Sequence, residues 1–140
     1  VSQGNVDFVK GLYTAAETMD KKELLAALPG LIAEVCDPEI EWIEDPARAD
    51  SQTYRGHAGV LRSFEHWLEG FEEYGVAFES ARDCGDTVYV VAREQARGAA
   101  SGATVTASIY QLVTMRDGKI VLFREFYDEQ AALVAAGLSS

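Results

Sequence analysis

Cys36, Cys84, His57 and His66 are the side chains whose chemistry would be easiest to read from spacing, and their spacing is unproductive. The cysteines lie far apart and outside any CxxC or Cys/His arrangement, so they read as reduced, packed thiols. The histidines are not the i, i+4 pair of a zinc-binding helix, so neither a metal nor a cofactor is expected. No phosphate loop, dinucleotide fingerprint or Ser/His/Asp array is visible. Carboxylates, tyrosines and an arginine on alternating segments remain. Phe123, Glu125 and Tyr127 share one face of a period-two segment, as Tyr89, Arg93 and Gln95 do on another, with Tyr110 on a third. If Arg93 and Glu125 both point into a pocket they must pair or hold a substrate group, because a buried unpaired charge costs about 3–5 kcal/mol. At the surface the same two would form a cross-strand pair worth under about 1 kcal/mol.

The elements that must position these residues divide the chain in two. Val9, Leu12, Tyr13, Ala16 and Met19 fall at helical spacing after Asn5, a good N-cap. Asp20 opens a second helix with Glu23 three residues on, a capping-box pattern, and Pro29-Gly30 is expected to break or kink it. Residues 39–44 alternate as a short strand that Asp45-Pro46 stops. His57 lies in the loop leading to an amphipathic helix over 59–72, where a hydrogen bond at the helix start is its expected role. Val60, Phe64, Trp67 and Leu68 form that helix's apolar face. Strands follow at 76–82, 87–97, 103–115 and 119–127, with an Asp-Gly hairpin signal at 117–118. Asp128 caps a last helix that Gly137 ends. Helices followed by consecutive hairpins imply an α+β fold: an antiparallel sheet with helices on one face, curled around a core or pocket.

The totals set outer limits. A chain of 140 residues fits a single domain, spanning 1–140, and buries enough surface for a core without disulfides. A formal charge of −11, with twelve scattered basic residues, argues against nucleic acid or an anionic membrane as partner. No apolar window reaches the length of a membrane span, and the first residues lack a secretory pattern, so a cytoplasmic location is expected.

The order of segments resembles the nuclear transport factor 2-like superfamily, and within it the SnoaL-like proteins related to ketosteroid isomerase and limonene epoxide hydrolase. The resemblance rests on the Tyr13 helix, Asp37-Pro38-Glu39-Ile40-Glu41-Trp42 and Tyr54-Arg55-Gly56-His57-Ala58-Gly59-Val60. It continues through Gly118-Lys119-Ile120-Val121 to Glu125-Phe126-Tyr127-Asp128. It implies a cone-shaped sheet, mixed at its edge, whose pocket lies between the sheet and the first and third helices. It also implies a short C-terminal helix and a homodimer through the sheet's other face. Phe123, Glu125, Tyr127, Tyr89, Arg93, Gln95 and Tyr110 would then point inward.

Two catalytic sets are similar to parts of this chain. Against ketosteroid isomerase, Asp45 matches the carboxylate base and Tyr13 the tyrosine donor, while Tyr110 stands where that enzyme has a protonated aspartate. Against limonene epoxide hydrolase, Glu125 matches the water-activating carboxylate and Arg93 the central arginine. Gln95 falls where the acid should be, and it cannot give up a proton. The resemblance therefore implies an acid–base isomerase, cyclase or hydrolase without a cofactor, acting on a hydrophobic cyclic or polyketide-like molecule. Asp45 or Glu125 would be the base, with Tyr13, Tyr110 and Arg93 as electrophilic partners. Trp42, Phe64, Trp67, Phe123 and Tyr127, with Tyr89 and Gln95, would contact the ligand. A binding module without turnover and a dimerisation domain are the alternatives.

Overall fold

Helix α1 (Ser2–Glu17) takes in Asn5 instead of being capped by it; the computed structural model describes residues 2–138. Helix α2 (Lys21–Val35) opens on the expected capping box. The Asp20 carboxylate accepts from the Glu23 amide at 2.8 Å, and Glu23 accepts from the Asp20 amide at 3.0 Å. Pro29 does not break this helix, contrary to the sequence expectation. An interior proline costs about 3 kcal/mol. Leu24, Leu28, Ile32 and Val35 form one buried stripe across the site of the missing bond, and each buried aliphatic contributes about 1.5–3 kcal/mol. Packing outweighs the defect, so residues 31–35 continue the same helix.

Strand β1 (Cys36–Ile43) follows directly, then β2 (Thr53–Arg55). Gly56, at φ +73°, turns the chain into helix α3 (Gly56–Glu69), a backbone angle that glycine adopts without steric cost. His57 secures this junction, its Nε2 bonded to the Cys36 carbonyl at 2.8 Å. The remaining strands are β3 (Phe71–Cys84), β4 (Thr87–Gly98), β5 (Thr104–Arg116) and β6 (Lys119–Phe126). Asp117 and Gly118 both have positive φ, as a two-residue type I′ hairpin requires. Helix α4 (Glu129–Ala135) is capped by Asp128.

The fold is α+β, with one open six-stranded sheet in the order β2-β1-β6-β5-β4-β3. Only β1 and β6 run parallel; the other neighbours are antiparallel. Helices α1, α2 and α3 cover the inner face, over a core that includes Val88, Val90, Ala92, Ile109 and Val113. Helix α4 covers part of the outer face, against Tyr89, Leu112 and Phe126. No described helix is long and apolar enough to cross a membrane.

Sheet parity overturns part of the sequence reading. Val88, Val90, Ala92 and Glu94 point to the inner face of β4, so Tyr89, Arg93 and Gln95 point outward. On β5, Ile109, Gln111 and Val113 point inward and Tyr110 outward. Both faces of this strand pair are covered near α4, so apolar residues run through both parities and alternation cannot identify the inside.

Because Pro29 is exposed and only deprives the Leu25 carbonyl of a partner, Pro29→Ala is expected to stabilise the protein by about 1–2 kcal/mol. Urea denaturation gives the difference directly, and a loss of stability would show that Pro29 serves the helix in some other way.

Candidate active site

Three helices and the inner sheet face enclose a cavity of about 180 Å³. Its apolar wall follows from the helix stripes: Leu28 and Ile32 from α2, Val60, Phe64 and Trp67 from α3. Trp42 on β1 and Phe123 on β6 are paired in the parallel register and stack with ring centroids 3.7 Å apart. Phe64 tilts against Trp42 at 4.9 Å. The wall is thus aliphatic with an aromatic cluster.

Polar groups gather at one side of this cavity. Tyr13 on α1 donates to Gln111 Oε1 on β5. Gln111 and Glu125 are direct cross-strand partners, and Gln111 Nε2 donates to Glu125 Oε2 at 3.3 Å. Glu94 on β4 accepts from two tyrosines, Tyr74 Oη on Oε2 at 2.5 Å and Tyr127 Oη on Oε1 at 2.9 Å. Glu94 and Gln111 are each only 6 % exposed. A third carboxylate, Glu44, follows β1; it accepts from the Gln52 amide at 3.1 Å and lies 3.7 Å from Arg48 Nη1.

Burial sets the electrostatics. The Glu125 carboxyl is pushed up to about 7, first by desolvation and then by the charge of Glu94, with a smaller push from Glu44. The Gln111 hydrogen bond and the Arg48 charge oppose this shift. Burial, reinforced by the Glu125 charge, raises the Tyr13 phenol, and Tyr127 is raised by burial, Glu125 and Glu94. Tyr74 rises through burial and Glu94. All three tyrosines therefore remain protonated donors near neutral pH. Cys36 also lines the cavity, but burial pushes its thiol up to about 11, which leaves little thiolate for nucleophilic work. No group of three or more His, Cys, Asp and Glu side chains among the described residues is arranged to hold a metal ion.

Of the residues singled out from sequence, Tyr13, Glu125, Trp42, Phe64, Trp67 and Phe123 line this cavity. Tyr127 stands behind Glu94 and supports it. Asp45 is buried but occupied structurally: Oδ2 accepts from the Tyr127 amide at 3.0 Å and Oδ1 from the Ala47 amide at 2.9 Å. It ties the loop after β1 to the end of β6 and does not line the cavity. Tyr89 and Tyr110 pack on the outer face around α4. Arg93 and Gln95 border an open polar depression beside β3, shared with Glu17, Lys21 and Arg97. Arg93 pairs with Glu79 at 3.5 Å, both side chains about half exposed. The conditional Arg93–Glu125 pair does not form, because the two project from opposite faces of the sheet. Sequence reasoning passed over Glu94, Gln111, Tyr74 and Arg48. Gln111 stands directly opposite Glu125 in the β5–β6 hairpin, but pairs counted from the Asp117-Gly118 turn would set it against Arg124, because a bulge between Thr114 and Met115 shifts the register.

The sequence pattern of the SnoaL-like domain matches residues 9–123. Among curated proteins none matches this sequence. Similar solved structures include a presumed SnoaL-like polyketide cyclase from Jannaschia sp. CCS1, 23% identical, with a TM-score of 0.65 over 81% of this chain and 85% of that one. A nuclear transport factor 2-like protein from Burkholderia thailandensis E264 is 26% identical, with a TM-score of 0.64 over 80% and 89% of the two chains. A hypothetical protein of ketosteroid isomerase-like fold from Catenulispora acidiphila, in complex with trimethylamine, is 17% identical. Its TM-score is 0.64, covering 82% of this chain and 89% of that one.

The raised carboxyl makes stability depend on pH. A carboxyl whose folded value lies above its unfolded one contributes stability that is complete below about 4.5 and lost as pH rises through about 7. Glu125→Gln removes this titration and should match the parent protein near pH 4 but exceed its stability at pH 8, by on the order of 2 kcal/mol. Thermal melts across this range measure the gap, and parallel curves would show that Glu125 ionises without penalty.

Proposed function

The chain belongs to the SnoaL-like domain family, and on that premise we propose that its cavity performs acid–base chemistry on a compact hydrophobic molecule, with Glu125 carrying the proton. The observation behind this reading is a cavity-lining carboxyl that titrates at about 7. A base is most effective when its pKa lies near the working pH, since it is then both available and strong enough to accept a proton. Desolvation supplies that tuning here. Tyr13, kept protonated by burial, is placed to redirect its hydroxyl from Gln111 to an oxygen that gains negative charge in the substrate. Gln111 couples the two, so a proton taken by Glu125 and charge developing near Tyr13 are felt through one hydrogen-bonded chain.

Cavity size narrows the substrate. A volume of about 180 Å³ lies below the roughly 300–1,000 Å³ of pockets that take drug-sized ligands. One or two small rings fit this space better than an extended polyketide. The trimethylamine held by the Catenulispora acidiphila protein is likewise a small organic molecule.

Proton exchange in D₂O tests the proposal whatever the eventual product is. Single-ring ketones with an acidic C–H, followed by proton NMR, should exchange faster with the protein, at a rate that rises with pH and levels off above about 7. Glu125→Gln should reduce the enhancement about 10²-fold or more, and Tyr13→Phe should reduce it less. Exchange that ignores Glu125→Gln would sink the proposal.

We also propose that a second copy of the chain pairs on the outer sheet face, where Val91 and Tyr110 stay partly exposed beside α4. Sedimentation velocity should then give a dimer at micromolar concentration; a monomer throughout would remove this reading.

A further inference from the structure

Among the side chains lining the cavity, three are glutamates, Glu44, Glu94 and Glu125, and none is Lys, Arg or His. Arg48, the nearest cation, lies against Glu44 at 3.7 Å and Asp50 at 3.2 Å, with its guanidinium 5.4 Å over the Trp67 ring. It is shared between Glu44 and Asp50 and reaches Glu125 only as a minor influence, so among the described residues neither Glu94 nor Glu125 has an ion-pair partner. The tyrosine hydroxyls beside these glutamates are also engaged. Tyr13 donates to Gln111, Gln111 to Glu125, and Tyr74 and Tyr127 to Glu94. An incoming anion would therefore meet three carboxylates and no cationic side chain in the cavity lining.

We infer that the cavity selects a compact organic cation: a protonated or quaternised amine carried on a hydrophobic ring. This rests on the reading of the cavity as a small-molecule site and names the class of molecule it takes. The charge sits between Glu94 and Glu125, and the aromatic side chains of the wall, Phe64 among them, add cation–π attraction. A metal ion is a poor alternative, since the glutamates do not converge as a metal-holding group among the described residues.

The cation also resolves the electrostatic conflict inside the cavity. Two carboxylates in one low-dielectric space do not both ionise readily unless positive charge enters. Binding of the cation then expels one proton from Glu125, and the cation replaces that proton's charge. The groups facing Glu125 are Tyr13 from α1, Glu44 and Arg48 from the loop after β1, Tyr74 from β3, Glu94 from β4, Gln111 from β5 and Tyr127 after β6. Helices α2 and α3 present apolar side chains to it, among them Leu28, Ile32, Val60 and Phe64. Within this set, burial pushes the Glu125 carboxyl up to about 7. A substrate of this class would thus switch Glu125 into its basic form on arrival.

Calorimetry with three single-ring probes of similar size tests the inference: benzylammonium, benzyl alcohol and benzoate. Benzylammonium should bind about tenfold or more tighter than benzyl alcohol, and benzoate weakest of all. Its affinity should rise between pH 5.5 and about 7 and then level off, with proton release seen as a dependence of the heat on the buffer's ionisation enthalpy. Glu125→Gln should remove the pH dependence and the proton release while the circular dichroism stays unchanged. Glu94→Gln should weaken benzylammonium and narrow its advantage over benzoate. If benzyl alcohol or benzoate binds as well as benzylammonium, the cation inference fails and the small-molecule site stands. If none of the three binds at millimolar concentration to the folded protein, both fail.

Discussion

Placing carboxylates inside an apolar cavity is the constraint to which the other features of this site answer. An ionised carboxylate loses most of its hydration there, and without compensation it would unfold the domain or remain protonated. The two central glutamates meet that cost in different ways. Glu94 receives hydroxyl donors from two tyrosines, so hydrogen bonds replace water around its charge. Glu125 receives one longer contact from an amide, and its carboxyl rises to about 7 instead. A carboxylate held by two hydroxyl donors thus sits beside one held by a single longer amide contact.

The sheet makes that arrangement possible through register. Gln111 stands opposite Glu125 across the β5–β6 pair, and Val90 opposite Gln111 across β4–β5. A slip of one residue in either pair would carry Glu94 or Gln111 to the outer face and leave a different side chain in its place. The Asp117-Gly118 turn sets Arg116 opposite Lys119, and a bulge between Thr114 and Met115 then shifts the pairing by one residue, which brings Gln111 opposite Glu125. Turn and bulge together are therefore a condition for the site's electrostatics, although both lie at the far end of the hairpin.

Much of the fold was readable because its signals are local. The Asp20–Glu23 capping box, the apolar face of α3 and the Asp-Gly hairpin each need only a few neighbouring residues to declare themselves. Pro29 was misread for the opposite reason, since the stripe that carries α2 past it is stabilised by tertiary packing. The inside of β4 was hidden because Val88 to Ala92 is almost uniformly apolar, the signature of a strand covered on both faces. Glu94 and Gln111 then misled further, since a charged or amide residue in a strand normally marks solvent. Here those residues point inward and Arg93 and Gln95 outward, so the polar side chains on both faces made parity look settled when it was not. A functional site that places polar groups where a core is expected erases the very pattern used to find it.

Asp45 illustrates how a carboxylate in a suggestive place can serve geometry. Both its oxygens accept backbone amides, one from its own loop and one from Tyr127. This clamp fixes the loop after β1 against the end of β6, the strand that carries Glu125. The same loop holds Arg48 over Trp67 and beside Glu44. Asp45 thus holds in place the loop whose next residues include the guanidinium that lies 3.7 Å from Glu44. A buried carboxylate here serves the geometry of the site without lining the cavity, and two backbone amides replace the water that its burial removes.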